Sequence, residues 1–354
     1  MALQILPYTA DVAPALREFH ARLLAGGAPA DQRFPDAGDP LLQPGSELFV
    51  AVDEGKVRGG YILRRQHFTA GRSDVTAAHY RLPLSEGIVD RAYAMLGLRL
   101  VRDALAREPR LYAMGMGGWD KPLPQMFKSL KWNMCAVPFH FLVVHPSRFL
   151  RHIRPLRTSA LRRAVMDAAA VSGAGWLGMK AIGMARTPRR ESCELADRFA
   201  NWADEVWQRS VGDYALLARR DAATLDALYP ASDKRFIRVR VAGGWAVLLD
   251  TQMRDHKQFG DMRVGTIVDC LAPAESAGAV VRAAAGVLAE RGVDLIISNQ
   301  LHETWSQALL GCGFRLGPSN YLLALSPKFA ECTGGAAQSR FHANRGDGDG
   351  PIHL

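Results

Sequence analysis

Four consecutive segments in the second half of the chain decide the fold: VGTIVDCLA (Val264 to Ala272), a helical run from Ala277 to Arg291, DLIISNQ (Asp294 to Gln300), and ETWSQALLGCGF (Glu303 to Phe314). The first and third are short apolar runs, as expected of buried strands. The second and fourth read as a long and a short helix. Strands alternating with helices in this order predict an α/β domain, a mixed sheet covered by helices.

Working outward, Phe236 to Val241 and Trp245 to Leu249 read as a hairpin around Gly243-Gly244, and Arg263 to Leu271 as the next strand. Cys193 to Gln208 reads as a helix carrying Leu195, Phe199, Trp202 and Val206. Asp221 caps a helix to Leu228, and Phe314 to Leu325 holds the last strand. The first half repeats the series. Leu3 to Leu6, Leu48 to Val52 and Val57 to Arg64 read as strands, the last two joined at Asp53-Glu54-Gly55-Lys56. A strand within Ala77 to Val89 precedes a helix from Tyr93 to Ala106, a strand at Leu111 to Met114, a helix at Pro124 to Leu130, and a strand from Cys135 to Val144. Residues 25–46 and 69–76 read as loops. The pairs Gly55 and Gly243, Tyr93 and Ala277, and Trp132 and Phe314 recur at nearly one offset. The expected organisation is therefore tandem: a first domain at 1–147, a basic helical linker at 148–192, a second domain at 193–330 and a polar tail at 331–354.

The chain has 354 residues and a formal net charge of +9, which favours anionic partners such as nucleotide phosphates. Six arginines, from Arg148 to Arg163, come without an acidic residue until Asp167, and Arg186, Arg189 and Arg190 follow. This run is read as a solvated linker, with phosphate or membrane-surface binding as its functional alternatives. The five cysteines form no Cys-x-x-Cys pair, so no zinc ribbon is expected, and their apolar settings fit reduced, buried thiols in a cytoplasmic protein. The N-terminus lacks the pattern of a signal peptide, and Val165 to Met184, interrupted by Asp167 and Lys180, falls short of a membrane span. Asp347-Gly-Asp349-Gly lacks the spaced ligands of a calcium loop, so no metal is assigned.

The four opening segments resemble the end of a GCN5-related N-acetyltransferase (GNAT) domain, and Leu310-Gly311-Cys312-Gly313-Phe314 resembles the family's ending of its short helix. Phe127 to Trp132 occupies the same place in the first half. The resemblance implies acetyl-CoA, or another acyl-CoA, as co-substrate. It places the pyrophosphate on a loop opening the long helix, where backbone N–H groups and the helix dipole receive it. The first half offers Val89, Arg91, Ala94 and Gly97 for that role; the second carries Glu275 there, which repels phosphate. Asn299, at the end of the fifth strand, stands where many family members carry asparagine. At the place of the family's frequent tyrosine acid this chain has Leu309 in the second half and Phe127 in the first, neither of which can donate a proton.

Acyl transfer to an amine requires a base and a donor to the developing oxyanion. Glu86 and Asp269 flank the fourth strand of each half, and His256 lies in a polar loop, so these three are the candidate bases. Trp207, Tyr214 and His302 are candidates for acceptor recognition. The first reading is an acyltransferase acting on an amine of a small molecule or glycan precursor. A tRNA-dependent aminoacyl transferase and a non-catalytic scaffold are the alternatives.

Overall fold

The computed structural model describes residues 3–35, 45–71, 73–172, 174–181, 188 and 191–348. Arg186, Arg189, Arg190 and Asp349 lie outside them. In chain order the elements are β1 (Gln4–Pro7), α1 (Ala13–Ala25), β2 (Ser46–Asp53), β3 (Lys56–Ala70), β4 (Ser73–Ser85), α2 (Leu96–Arg107), β5 (Leu111–Gly115), α3 (Pro122–Ser129), β6 (Asn133–Ala136), β7 (Phe139–Val143), α4 (Pro146–His152), α5 (Ala160–Ser172), α6 (Ala174–Ala181), β8 (Glu194–Ala196), α7 (Asn201–Ser210), β9 (Leu216–Ala218), α8 (Ala222–Leu228), β10 (Ile237–Val241), β11 (Gly244–Gln252), β12 (Arg263–Leu271), α9 (Ala277–Glu290), β13 (Leu295–Asn299), α10 (Glu303–Gly311), β14 (Arg315–Gly317), β15 (Leu322–Leu325), α11 (Pro327–Glu331) and β16 (Phe341–His342). No helix among the described residues is long and apolar enough to cross a membrane.

Two compact units emerge. One comprises Met1–Cys135 with Leu322–Gly335, the other Ala136–Tyr321 with Ala336–Leu354. The first contains the strand order β1-β2-β3-β4-β5-β15-β6, in which β4 and β5 are parallel. Alternation of side chains along the strands sends one set to each face. Tyr61, Leu63, Ala78 and Tyr80 meet Leu96, Leu100, Val101 and Ala104 of α2 in one buried cluster. Val50, Val57, Ile62 and Leu84 meet Leu16, Phe19 and Leu23 of α1 in another. Burying each such leucine or phenylalanine stabilises the fold by roughly 1.5–3 kcal/mol.

The second unit's sheet runs β14-β7-β13-β12-β11-β10-β8, with β12 and β13 parallel. The buried stripe of α9, with Val280, Val281, Ala284, Val287 and Leu288, joins Trp245, Val247 and Leu249 of β11 in its main core.

Each expected closing strand is broken by a proline, and its two pieces lie in different sheets. The run Cys135 to Val144 becomes β6 and β7 on either side of Pro138, and Phe314 to Leu325 becomes β14 and β15 on either side of Pro318. Proline lacks the N–H a ladder needs, so the strand ends there. Beyond Pro138, β7 inserts between β13 and β14; beyond Pro318, β15 inserts between β5 and β6. The compact units are therefore discontinuous, in place of the linear expectation of 1–147 and 193–330. Two other expectations change. Residues 69–76 are the tip of a long hairpin, because β3 and β4 pair as far as Ala70↔Ser73. The helix expected from Cys193 begins only at Asn201, because Leu195 pairs with Val239 in strand β8. The basic segment 148–192 does contain helices, and Arg157 there is tied to Asp167 at 2.8 Å.

Two outcomes are expected. A fragment of residues 1–147 lacks β15 and leaves β5 and β6 without the strand between them. It should show no cooperative thermal transition where the full chain does; a sharp melt of the fragment would contradict the exchange. The second concerns acid. His140 of β7 is fully buried, with Nε2 2.9 Å from Ser306 Oγ, and burial pulls its pKa down to about 4. Burial also lowers His79 and His342. The unfolded chain takes up these protons near pH 6.5 while the folded chain does not, so stability falls as pH drops from 6.5 towards 4. His140 alone should remove roughly 2–3 kcal/mol between pH 7 and 4.5 in urea titrations, and replacing it with phenylalanine should flatten the profile by that amount.

Candidate functional site

In the first unit the parallel pair β4 and β5 is joined only at Ala78↔Leu111 and His79↔Tyr112, although both strands run on, to Ser85 and Gly115. The strands thus split apart. Near the split β4 carries a bulge. Ile62 pairs with Arg81 and Gly60 with Leu84, leaving one extra residue on β4, and Leu82 has a positive φ of 44°. At the end of β5, Gly115, Met116, Gly117 and Gly118 all have positive φ, a left-handed turn that the sequence provides with three glycines.

The connection from β4 to α2 holds the residues expected to form a phosphate loop. Ser85 Oγ accepts from Gly87 N at 3.1 Å, and Asp90 Oδ1 from Ala92 N at 2.9 Å, so both short turns are fixed by side-chain caps. Tyr93 lies under the Arg58 guanidinium and donates its hydroxyl to Asp53 at 3.2 Å. The N-terminus of α2 has no side-chain cap and no acidic residue in its first turn, and open space surrounds the Cα of Gly97. Arg91 and Ala94 are exposed, and Val89 sits against Gly26. An uncapped helix start with a basic residue nearby can receive an anion.

Glu86 is differently employed from expectation. Its Oε1 accepts from Arg22 at 2.6 Å and its Oε2 from Arg58 at 2.9 Å, so both oxygens are committed to guanidinium groups that fasten the loop. The sequence reading missed another group. Arg64, His79 and Arg81 occupy one face of β3 and β4 at the start of the split, and all are buried. The His79 ring stacks on Tyr112, 4.7 Å between centroids, and the Tyr112 hydroxyl donates to Gln66 at 2.7 Å. Burial first, and then the two guanidinium groups, hold His79 well below the usual histidine range, so its ring is neutral. Among the described residues its Nδ1 has no hydrogen-bond partner. The available signal was the alternation Arg64-x-Gln66 and His79-x-Arg81, which puts these polar residues on one face of two adjacent strands.

The second unit contains the same split, but it is filled. β12 and β13 pair from Val264↔Leu295 to Ile267↔Ser298, then separate. The segment Phe341 to Asp347 enters there. Leu301 N donates to Ala343 O at 3.0 Å, Gln300 bridges to Asn344, and His342 Nε2 lies 2.8 Å from the Cys270 carbonyl oxygen. Asp269 is wholly buried and saturated. It accepts from Arg220, Tyr229, Asn344 and its neighbour's N–H at 2.8–3.2 Å. Arg220 also reaches Asp347 at 2.8 Å. Desolvation, and then Asp269, raise Asp347 above the usual carboxylate range, against the pull of Arg220.

The remaining expected residues scatter through the second unit. Tyr214 donates to the Ala272 carbonyl at 2.9 Å and accepts from Trp305 Nε1 at 3.0 Å, and His302 caps α10 while packing edge-on against Tyr214. These two line the filled split. Trp207 is buried in the main core. Asn299 turns to the Val137 and Pro138 carbonyls at 3.4–3.5 Å. His256 closes a small turn, its Nδ1 accepting from Gln258 and Phe259 N–H at 3.2 Å. Two surface clefts, of about 420 Å3 beside Trp202 and Arg240 and about 520 Å3 beside Tyr8 and Phe49, are lined by none of the expected site residues.

No protein family matched the chain in a family scan, and no curated protein matched it by sequence. Solved structures do. Saccharomyces cerevisiae N-myristoyltransferase with bound myristoyl-CoA superposes with a TM-score of 0.55 at 8% identity, over 92% of this chain and 79% of that one. A conserved protein of Enterococcus faecalis V583 described as a probable N-acyltransferase gives 0.51 at 7% identity, over 92% and 72%. A GCN5-related N-acetyltransferase from Anabaena variabilis gives 0.51 at 10% identity, over 91% and 72%. Identities this low speak for the fold alone. The chain has the fold of the GCN5-related N-acetyltransferases, built as two tandem units.

Proposed function

We propose that this chain is an acyltransferase that holds acyl-CoA in its first unit and passes the acyl group to an amine of a small molecule or glycan precursor. The carrying observation is the contrast between the two splits. In the second unit the chain's own segment 341–347 fills the split and Asp269 is saturated. In the first, the pairing stops beside a neutral histidine and two buried arginines, no such segment is seen to pair there among the described residues, and the loop after β4 leads to an uncapped helix start. The fold likeness to an enzyme with bound myristoyl-CoA supports an acyl-CoA of some kind.

The chemistry follows from those groups. The CoA phosphates rest on the N-terminus of α2, with backbone N–H groups of residues 95–97 and the Arg91 side chain as donors. The thioester lies in the split, where N–H groups of β4 are directed to its carbonyl. A neutral amine attacks the carbonyl carbon, a C–N bond forms, the C–S bond breaks, and CoA thiolate takes up the proton the amine loses. Negative charge develops on the carbonyl oxygen in the transition state. His79, held neutral, offers an N–H to that oxygen, and the cations Arg64 and Arg81 favour the charge.

Calorimetry on the full chain should give one CoA or acyl-CoA per chain, with Arg91→Glu weakening it about tenfold. Two per chain, or none, would overturn the assignment. With an amine acceptor in hand, His79→Ala should lower kcat about 100-fold and leave KM for acyl-CoA within a factor of about three, the pattern of a group acting only in the transition state. Equal losses in binding would assign His79 to ground-state packing instead.

A further inference from the structure

The segment that fills the second unit's split carries an arginine whose environment is unlike that of the other buried cations there. Backbone on both sides of Arg345 is pinned. Asn344 Oδ1 accepts from Gly346 N at 2.9 Å, Asn344 N donates to Asp347 Oδ2 at 3.0 Å, and Asp347 Oδ1 takes Arg220 at 2.8 Å. Gly346 is pressed so closely that a Cβ would lie 2.5 Å from the Tyr229 hydroxyl and 2.6 Å from Asp269 Oδ2. Residue 345 therefore has little freedom of backbone, and its side chain is delivered to one place.

At that place no counter-charge faces the guanidinium among the described residues. Arg345 is half-buried, and its Nε is shut off from solvent without a hydrogen-bond partner. Its named neighbour is the Tyr321 ring, 5.7 Å from the guanidinium carbon. Among the described residues no carboxylate pairs with it. Arg220 is buried too, but sits between Asp269 and Asp347; Arg238 is buried and reaches the Phe236, Tyr229 and Pro230 carbonyls. Burial lowers the proton affinity of Arg345, yet a guanidinium stays charged across the physiological range. Native structures rarely retain a charged group cut off from partners without a use for it.

We propose that Arg345, backed by the Tyr321 ring, is an oxyanion-binding residue that receives a carboxylate or phosphate group of a ligand. The planar fork of N–H groups matches two oxygens of either group, and a ring beneath the guanidinium holds it flat. The proposal is separate from the acyl-CoA reading and stands in the other unit.

The test uses the full chain and two probes, inorganic phosphate and acetate, titrated against sodium chloride of equal ionic strength while thermal stability is followed. At least one probe should raise the melting temperature of the wild type in a saturable way. Arg345→Met should weaken that probe at least about tenfold, and Arg345→Lys, which keeps the charge but loses the fork, should fall between. Arg91→Glu should leave a site at Arg345 within about twofold while removing any phosphate effect that arises at α2. A stronger response to phosphate assigns a phosphate ester as the natural group, and a stronger response to acetate assigns a carboxylate. If neither probe acts on the wild type, or the effect survives intact in Arg345→Met, the proposal is wrong. Should the methionine variant lose its circular dichroism spectrum, the lysine variant decides: unchanged affinity there also overturns it.

Discussion

Two parallel strands that stop pairing while both continue leave backbone N–H and C=O groups facing one another across a gap, and buried groups of that kind must find partners. This constraint is met in different ways by the two units. In the second, the Cys270 carbonyl takes His342, the Ala272 carbonyl takes Tyr214, and Leu301 N takes the Ala343 carbonyl. The protein supplies every one of those partners from its own chain. In the first unit the ladder ends two rungs in, at His79↔Tyr112, and β4 goes on for six residues through a bulge. An extended, amide-bearing ligand can pair with a strand edge of this sort, which is why the acyl donor is assigned to the first unit.

Charge is handled with the same division. The two buried carboxylates at the closed split are bridged by Arg220, and the extra negative charge is accommodated by raising Asp347 towards its protonated form. These ion pairs add less stability than their short distances suggest, because desolvating the ions offsets much of their attraction. In the first unit Arg64, Arg81 and a neutral His79 lie together on one face beside the split, an arrangement that suits the proposed reaction, which creates an oxyanion.

Element order and the tandem repeat were legible in the sequence because each depends on local pattern. Hydrophobic runs, turn glycines and the position of Arg91 relative to a helix can all be read along the chain. The roles of Glu86, Asp269 and His256 were not legible. A carboxylate flanking a strand looks alike whether it faces substrate or, as Glu86 does, two guanidinium groups from α1 and β3. His79 was overlooked because it lies inside a strand, and its neutrality comes first from burial and then from Arg64 across the ladder and Arg81 two residues on, none of which local pattern reveals. The filled split was invisible for the same reason: its residues come from positions about 70 apart, Cys270 and His342 among them. The exchange of closing strands had a local cue in Pro138 and Pro318, but a proline says only that a strand stops, not where the chain goes next.

That exchange bears on how the protein comes to be made. During synthesis, the first unit waits with a gap between β5 and β6 until Leu322 to Leu325 have left the ribosome, nearly two hundred residues after β6. At ordinary elongation speeds this is a delay of about 10–40 seconds, long against hairpin formation and collapse. Through that interval the nascent chain displays two unpaired strand edges, and its yield in the cell is set by whatever shields them.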